Sequence, residues 1–195
     1  MKRPHGVVVA SKNPDKIAEV EAVLAALDPP IMVIPGHVWP DIEETEDTLA
    51  GNALLKARAV CAATGHAAIA DDTGLEVDAL GGAPGVHTAR YAGEDASYDE
   101  NVQKLIEAMA GVDNRSARFR TAIALVAPSS AEVVVEGVLE GSITTERRGQ
   151  GGFGYDPVFG VDDQDGETLA EIGPETKNAI SHRAVALRLL ANHLS

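Results

Sequence analysis

The chain has 195 residues, 45% hydrophobic but only 4% aromatic, with 16 Lys and Arg against 30 Asp and Glu. This length suits one folding unit, residues 1–195, built around an aliphatic core, and a formal net charge of −14 excludes a general nucleic-acid binder, which needs a basic face. No run approaches the length of a membrane span, and the apolar "VVVA" near the start is far shorter than the apolar segment of a signal peptide.

The single cysteine, Cys61 in "ARAVCAATG", permits no intrachain disulfide and reads as a small core residue on a helix, so a reducing cytoplasm is the expected setting. The first predicted element is a buried strand, "GVVVAS" (6–11). A helix follows in which Ile17, Val20, Leu24 and Leu27 fall at helical spacing, with Asn13 as N-cap and Pro14 in the first turn. "IMVIPG" reads as a second strand. The acidic "DIEETED" then leads into a helix from about Thr48 to Thr64, stopped by Gly65, and "AAIADD" reads as a third strand. This alternation predicts an α/β fold with parallel pairs.

The middle of the chain changes character. "YDENVQKLIEAMAG" has helical spacing, whereas "ARFRTAIALVAP" and "AEVVVEGVLEGSITTE" are long strand-like runs so closely linked that an antiparallel hairpin is expected. The chain then passes through the loop "RRGQGGFGYDPVFG" and the turn "DDQDGE" to the helix "SHRAVALRLLANHL". The expected fold is therefore α/β, with a mixed, partly parallel central sheet, a long hairpin, helices on both sides and two lobes around a cleft.

Five segments can carry chemistry. "SKNPDK" lies where a strand hands over to a helix; there free N–H groups and the helix dipole favour an anion that Ser11, Asn13 and Lys16 can reach, although the same residues also make an ordinary N-cap with solvated lysines. Thr48, Asn52 and Lys56 recur every four residues and form one polar stripe, which reads either as a solvent face or as a lining for an oxygen-rich ligand. At the end of the third predicted strand stand Asp71 and Asp72. Successive side chains of an extended segment point to opposite faces, so one of the two faces the pocket, and with Glu44 it makes a pair suited to Mg²⁺; Asx-turn capping before Thr73 and Gly74 is the alternative.

In "GQGGFGYDPVF", Phe153 and Tyr155 sit in a glycine-rich loop ahead of Asp156, either as a stacking face for a base or as the anchor of a long turn. Ser181 is a good N-cap for the last helix, yet His182 and Arg183 place cations in its first turn, with Lys177 nearby. The helix dipole disfavours that arrangement by about 0.3–1 kcal/mol, so an anion or carbonyl partner is expected there. The other histidines, at 5, 37, 66, 87 and 193, show no metal-ligand spacing, and "DDQDGE" lacks the full ligand spacing of a calcium loop.

Taken in order, "SKNPDK", "E..T...NALLKA", "ADDTGLEVDALGGAPGVHTARYAG", "GGFGYDP" and "K....SHR" make the chain resemble the inosine triphosphate pyrophosphatases, the Ham1-like family, nearly end to end. Leu49 departs from the pattern, standing where the family usually carries Phe. The resemblance implies Mg²⁺-dependent hydrolysis of ITP, dITP and XTP between the α and β phosphates, and a homodimer whose partner molecule is a small purine nucleoside triphosphate, with neither nucleic acid nor membrane involved. Carried over by position, it implies that Ser11, Lys12, Asn13, Pro14, Asp15, Lys16 and Lys56 hold the triphosphate. Glu44 and Asp72 would serve the metal, with Asp72 also activating water and Thr73 touching substrate. Phe153, Gly154, Tyr155 and Asp156 would hold the purine, Phe153 by stacking, while Lys177, His182 and Arg183 complete the pocket toward the 6-oxo edge. Among competing readings, an aspartyl-phosphate phosphatase using Asp71 or Asp72 lacks the usual D-x-D spacing, and a nucleotide-binding module without catalysis is the alternative of another class.

Overall fold

Local chemistry sets the ends of the first helices. Asn13 is extended, and its side chain accepts hydrogen bonds from the N–H groups of Asp15 and Lys16, so α1 (Pro14–Ala25) starts with its free donors satisfied directly after β1 (Gly6–Val9). Thr48 does the same for α2 (Leu49–Thr64) through the N–H of Gly51, and Gly65, with φ of 72°, closes that helix in the left-handed region. A capping box between Ser97 and Glu100 starts α3 (Tyr98–Ala108). The computed structural model describes residues 1–194. The remaining elements are β2 (Met32–Val33), β3 (Ala68–Val77), β4 (Pro84–Gly85), β5 (Ser116–Val126), β6 (Glu132–Ile143), β7 (Phe159–Val161), α4 (Pro174–Ile180) and α5 (His182–Asn192).

The sheet has the order β2-β1-β3-β5-β6-β7, with β4 paired to β3 off this path. β1 runs parallel to both β2 and β3, while β3–β4 and β6–β7 are antiparallel. β5 and β6 form the expected hairpin: Ala127 donates to Ala131 at the turn, and Ile143 donates to Arg115 at the far end. The α/β class with a mixed sheet therefore stands. The predicted strand end at Asp72 is corrected, because β3 continues through Thr73 and Gly74 to Val77. Two adjacent carboxylates persist inside a strand because each finds its own cation, so no turn is needed to bring them to water. β2 is only two residues long, and β4, β7 and α4 are elements that the sequence patterns do not announce.

The chain divides into two compact units, one of residues 1–72, 121–137 and from 182 onward, the other of residues 73–120 and 138–181. The first unit is organised around Val7, Val9, Ile69, Ile123 and Leu125 of the strands, packed with Leu24 of α1 and Leu187 and Leu190 of α5. Gly137 lets α5 lie directly on β6: a Cβ there would stand 2.2 Å from the carbonyl oxygen of His182 and 2.5 Å from the nitrogen of Ala186. The second unit has its own core, in which Leu75, Val77 and Ile143 meet Leu105 of α3. The Phe119 and Phe159 rings of this core lie 4.6 Å apart between centroids. Among the described residues no helix is long and apolar enough to cross a membrane.

Candidate active site

The first unit gathers two charge clusters around Asp71 and Asp72, and strand geometry decides which residue joins which. Lys56, one turn beyond Asn52 on α2, donates to Glu44 Oε1 at 2.6 Å and to Asp72 Oδ1 at 2.9 Å. Asn52 is almost fully buried and acts as a clamp. Its Oδ1 accepts from the N–H of Glu46 at 3.0 Å, while its Nδ2 donates to the Glu46 carbonyl at 3.1 Å and reaches Asp72 Oδ2 at 3.5 Å. The polar stripe of α2 therefore does three jobs. Thr48 starts the helix, Asn52 fixes the backbone of the acidic loop that carries Glu44, and Lys56 holds the two carboxylates.

Burial raises the Asp72 carboxyl above the usual range; Lys56 opposes that rise and the nearby Glu44 adds to it. For Lys56 burial works against the charged form, but Asp72, Asp71 and Glu44 together outweigh it and raise its pKa. The cluster of Glu44, Asp72 and Lys56 carries a formal charge of −1 with the lysine protonated. Glu44 and Asp72 already share one cation, and both offer hard oxygen donors, so they are the residues that could hold a Mg²⁺. Among the described residues no group of three or more His, Cys, Asp and Glu is gathered as a metal cage. Two carboxylates are what a magnesium site shared with phosphate ordinarily uses.

On the other side of β3, Asp71 Oδ2 accepts from Arg183 Nε at 3.2 Å and Nη2 at 3.0 Å, and Lys16 Nζ lies 3.1 Å away. Arg183 Nη1 donates to Glu19, one turn after Lys16 on α1. Although burial pushes the Asp71 carboxyl up, Lys16 and Arg183 hold it far below the ordinary carboxylate range. The anion opposite the cationic first turn of α5 is thus supplied by the chain itself. Arg183 is 2% exposed and His182 4% exposed, so both stand in the protein interior.

The helix start at "SKNPDK" is ordered from within: Ser11 Oγ accepts from the N–H of Asn13 at 3.2 Å, and Asn13 caps α1 with Pro14 and Asp15 in its first turn. Lys12 pairs with Asp41 at the surface. Lys16, with a partly exposed side chain, is the lysine of this segment that the fold directs to Asp71.

In the second unit, Asp156 Oδ2 accepts from the N–H of Phe153 at 2.8 Å and from Lys177 Nζ at 2.6 Å. Lys177 Nζ in turn lies 4.7 Å from the centroid of the Phe153 ring, and the Tyr98 ring lies 5.9 Å from it. Gly152, at φ of 70°, makes this possible, because a Cβ would stand 2.0 Å from Asp156 Oδ2. Gly154 also has positive φ, and Tyr155 is anchored by its hydroxyl to the Thr88 carbonyl at 3.0 Å. Thr73 is half-buried on β3.

The fold thus brings Glu44, Lys56 and Asp72 together, and likewise Lys16 with Arg183 and Phe153 with Asp156 and Lys177. Sequence patterns did not single out Asn52 as a loop clamp, Glu19 and Asp71 as partners of Arg183, or Tyr98 beside Phe153. Asn52 carried a signal in its spacing from Thr48 and Lys56; the partners of Arg183, 112 residues away at Asp71, carried none.

The sequence profile of the Ham1 family matches residues 7–193. A dITP/XTP pyrophosphatase of Bacillus licheniformis is 48% identical over 95% of both chains, and one of Porphyromonas gingivalis is 49% identical over 96% of both. Among solved structures, a HAM1 protein from Coxiella burnetii superposes with a TM-score of 0.83 at 44% identity, covering 96% of this chain and 97% of that one. The Staphylococcus aureus Ham1 protein gives 0.82 at 38% identity, with the same coverage. With its motifs matched along nearly the whole length of both sequence and fold, the chain belongs to the Ham1 family.

Proposed function

We propose that this protein hydrolyses deaminated purine nucleoside triphosphates, dITP, XTP and ITP, to the monophosphate and pyrophosphate, and so clears them from the nucleotide pool. The observation that carries the reading is the trio of Glu44, Lys56 and Asp72, in which one buried and one partly exposed carboxylate and an ammonium form one hydrogen-bonded group. It is supported by membership of a family whose relatives are named dITP/XTP pyrophosphatases.

Glu44 and Asp72 are the residues that would hold Mg²⁺, and the ion would supply Lewis-acid stabilisation of charge on the phosphate oxygens. Lys16 and Lys56 bind the triphosphate electrostatically, as a preorganised field does most effectively where water is excluded. Asp72 orients a water and takes its proton as the water oxygen bonds to the α phosphorus; its burial-raised basicity suits that role. The P–O bond between the α and β phosphates breaks, and pyrophosphate leaves with the electron pair. No protein nucleophile is required.

The loop from Phe153 to Asp156 takes the base, Phe153 offering its ring and Lys177 a donor for a 6-oxo group. A 6-amino purine turns a donor instead of an acceptor toward Lys177, which is the physical basis for rejecting ATP. Residence in the cytoplasm and assembly as a homodimer belong to the same reading, the first from the lone buried cysteine and the second from the family resemblance.

The test is pyrophosphate release with Mg²⁺ across a panel of dITP, XTP, ITP, dGTP and ATP. Release from the first three at rates at least about a hundredfold above ATP is the expected result. Equal turnover of ATP and ITP would refute the specificity, and nucleotide binding without any hydrolysis would favour a binding module.

A further inference from the structure

Lys56 occupies an unusual place for a phosphate-binding lysine. Its ammonium is 12% exposed at the side chain and is held at 2.6 and 2.9 Å by oxygens of the two carboxylates that suit a divalent ion. One cation therefore already sits where another is expected. We infer that Lys56 is a built-in stand-in for the divalent metal, offsetting one of the two charges of Glu44 and Asp72 until metal and triphosphate arrive together. This inference rests on the reading of Glu44 and Asp72 as the metal pair.

The electrostatics give the device its logic. Two carboxylates brought this close repel each other, and burial adds a penalty for the charge on Asp72, so the pair is unfavourable without a cation. Lys56 lowers both costs. Asn52 holds the same loop by its backbone at Glu46, so Glu44 stays in place even when the lysine lets go. A divalent ion entering alone would take over both carboxylates and leave the largely buried ammonium of Lys56 without its two hydrogen-bonded partners, an unfavourable state. Entering with a triphosphate, it leaves Lys56 facing phosphate oxygens, and the ammonium exchanges two carboxylate partners for new ones at little cost. Lys56 thereby couples the two ligands: metal alone binds weakly, and metal with polyphosphate binds well. The coupling is reciprocal, so a metal-free triphosphate is also disfavoured.

The same arrangement distinguishes Lys56 from Lys16. Lys16 lies 3.1 Å from Asp71, a carboxylate that Arg183 also binds, and so its ammonium does not occupy the Glu44–Asp72 pair. Both lysines contribute positive potential, but only Lys56 blocks the oxygens themselves.

The experiment measures Mn²⁺ binding in the absence of nucleotide, by electron paramagnetic resonance of the free ion, for the wild type and for Lys56→Met, Lys56→Gln, Lys16→Met and Glu44→Gln. Lys56→Met is expected to bind Mn²⁺ about tenfold or more tightly than wild type, and Lys56→Gln likewise, which keeps the test standing if the Met variant does not fold. Lys16→Met is expected to change affinity by less than about threefold. Two results overturn the inference alone while leaving the metal site in place: unchanged or weaker Mn²⁺ binding in both Lys56 variants with binding still sensitive to Glu44→Gln, or an equal gain in Lys16→Met, which would reduce the effect to net charge. Mn²⁺ binding indifferent to Glu44→Gln would instead overturn the metal pair and the inference with it.

Discussion

Replacing Arg183 with Gln removes a cation that joins α5 to both β3 and α1. Arg183 is 2% exposed and Asp71 4% exposed, so neither can turn to water. Removing one partner of a buried ion pair costs ~3–5 kcal/mol, because the remaining charge is left uncompensated. Here Asp71 keeps Lys16 at 3.1 Å, and the side chain of Glu19 is 14% exposed and gains some hydration. Those two mitigations place the expected loss near the lower end, about 3 kcal/mol. Urea denaturation at pH 7, read by circular dichroism, should show the midpoint falling with the slope unchanged.

The pH dependence adds a second check with a definite sign. Asp71 has a folded-state pKa depressed well below its unfolded value, so its contribution to stability is fully present above about pH 4–5 and is lost as pH falls through that range toward the folded value. Arg183→Gln weakens the depression, so the gap between wild type and variant should be widest at neutral pH and should narrow on acidification. A variant within ~0.5 kcal/mol of wild type at pH 7, the range of ordinary surface changes, or a gap that widens in acid, would refute the assignment of Arg183 as a buried bridge.

Two further substitutions probe the supports of the site. Asn52→Ala strips the N–H and carbonyl of Glu46 of their partners, so it should cost ~1–3 kcal/mol and raise the Mg²⁺ concentration needed for half-maximal pyrophosphate release, read by metal titration of the activity. Gly152→Ala combines a φ of 70° with a Cβ 2.0 Å from Asp156 Oδ2, and should cost ~1–3 kcal/mol in a thermal or urea melt while raising KM for dITP more than it lowers kcat.

Much of the scaffold was legible because its signals are local. Asn13–Pro14, Thr48 and Gly65 each act on backbone groups within four residues, and those helix ends fall where capping chemistry places them. The run "ADDTG" misleads because its polar residues look like a turn, whereas the strand is held by lysines and an arginine from α1, α2 and α5 that no short window contains. The elements β4 and β7 are two and three residues long and owe their strand geometry to neighbours already in the sheet. In the site, residue types and spacing singled out Glu44, Lys56 and the pair Asp71 and Asp72, and the choice of Asp72 came from the family resemblance. The pairing of Arg183 with Asp71 was hidden, because a cation near a helix start shows only that an anion is needed and not where in the chain it comes from.

Asp72→Asn addresses the account at its centre, since it keeps the size of the side chain and removes its charge and basicity. With dITP and Mg²⁺, the account predicts a folded protein whose pyrophosphate release is reduced by at least about a thousandfold, as expected for loss of a general base that is also a metal ligand. Release within about tenfold of wild type would contradict it.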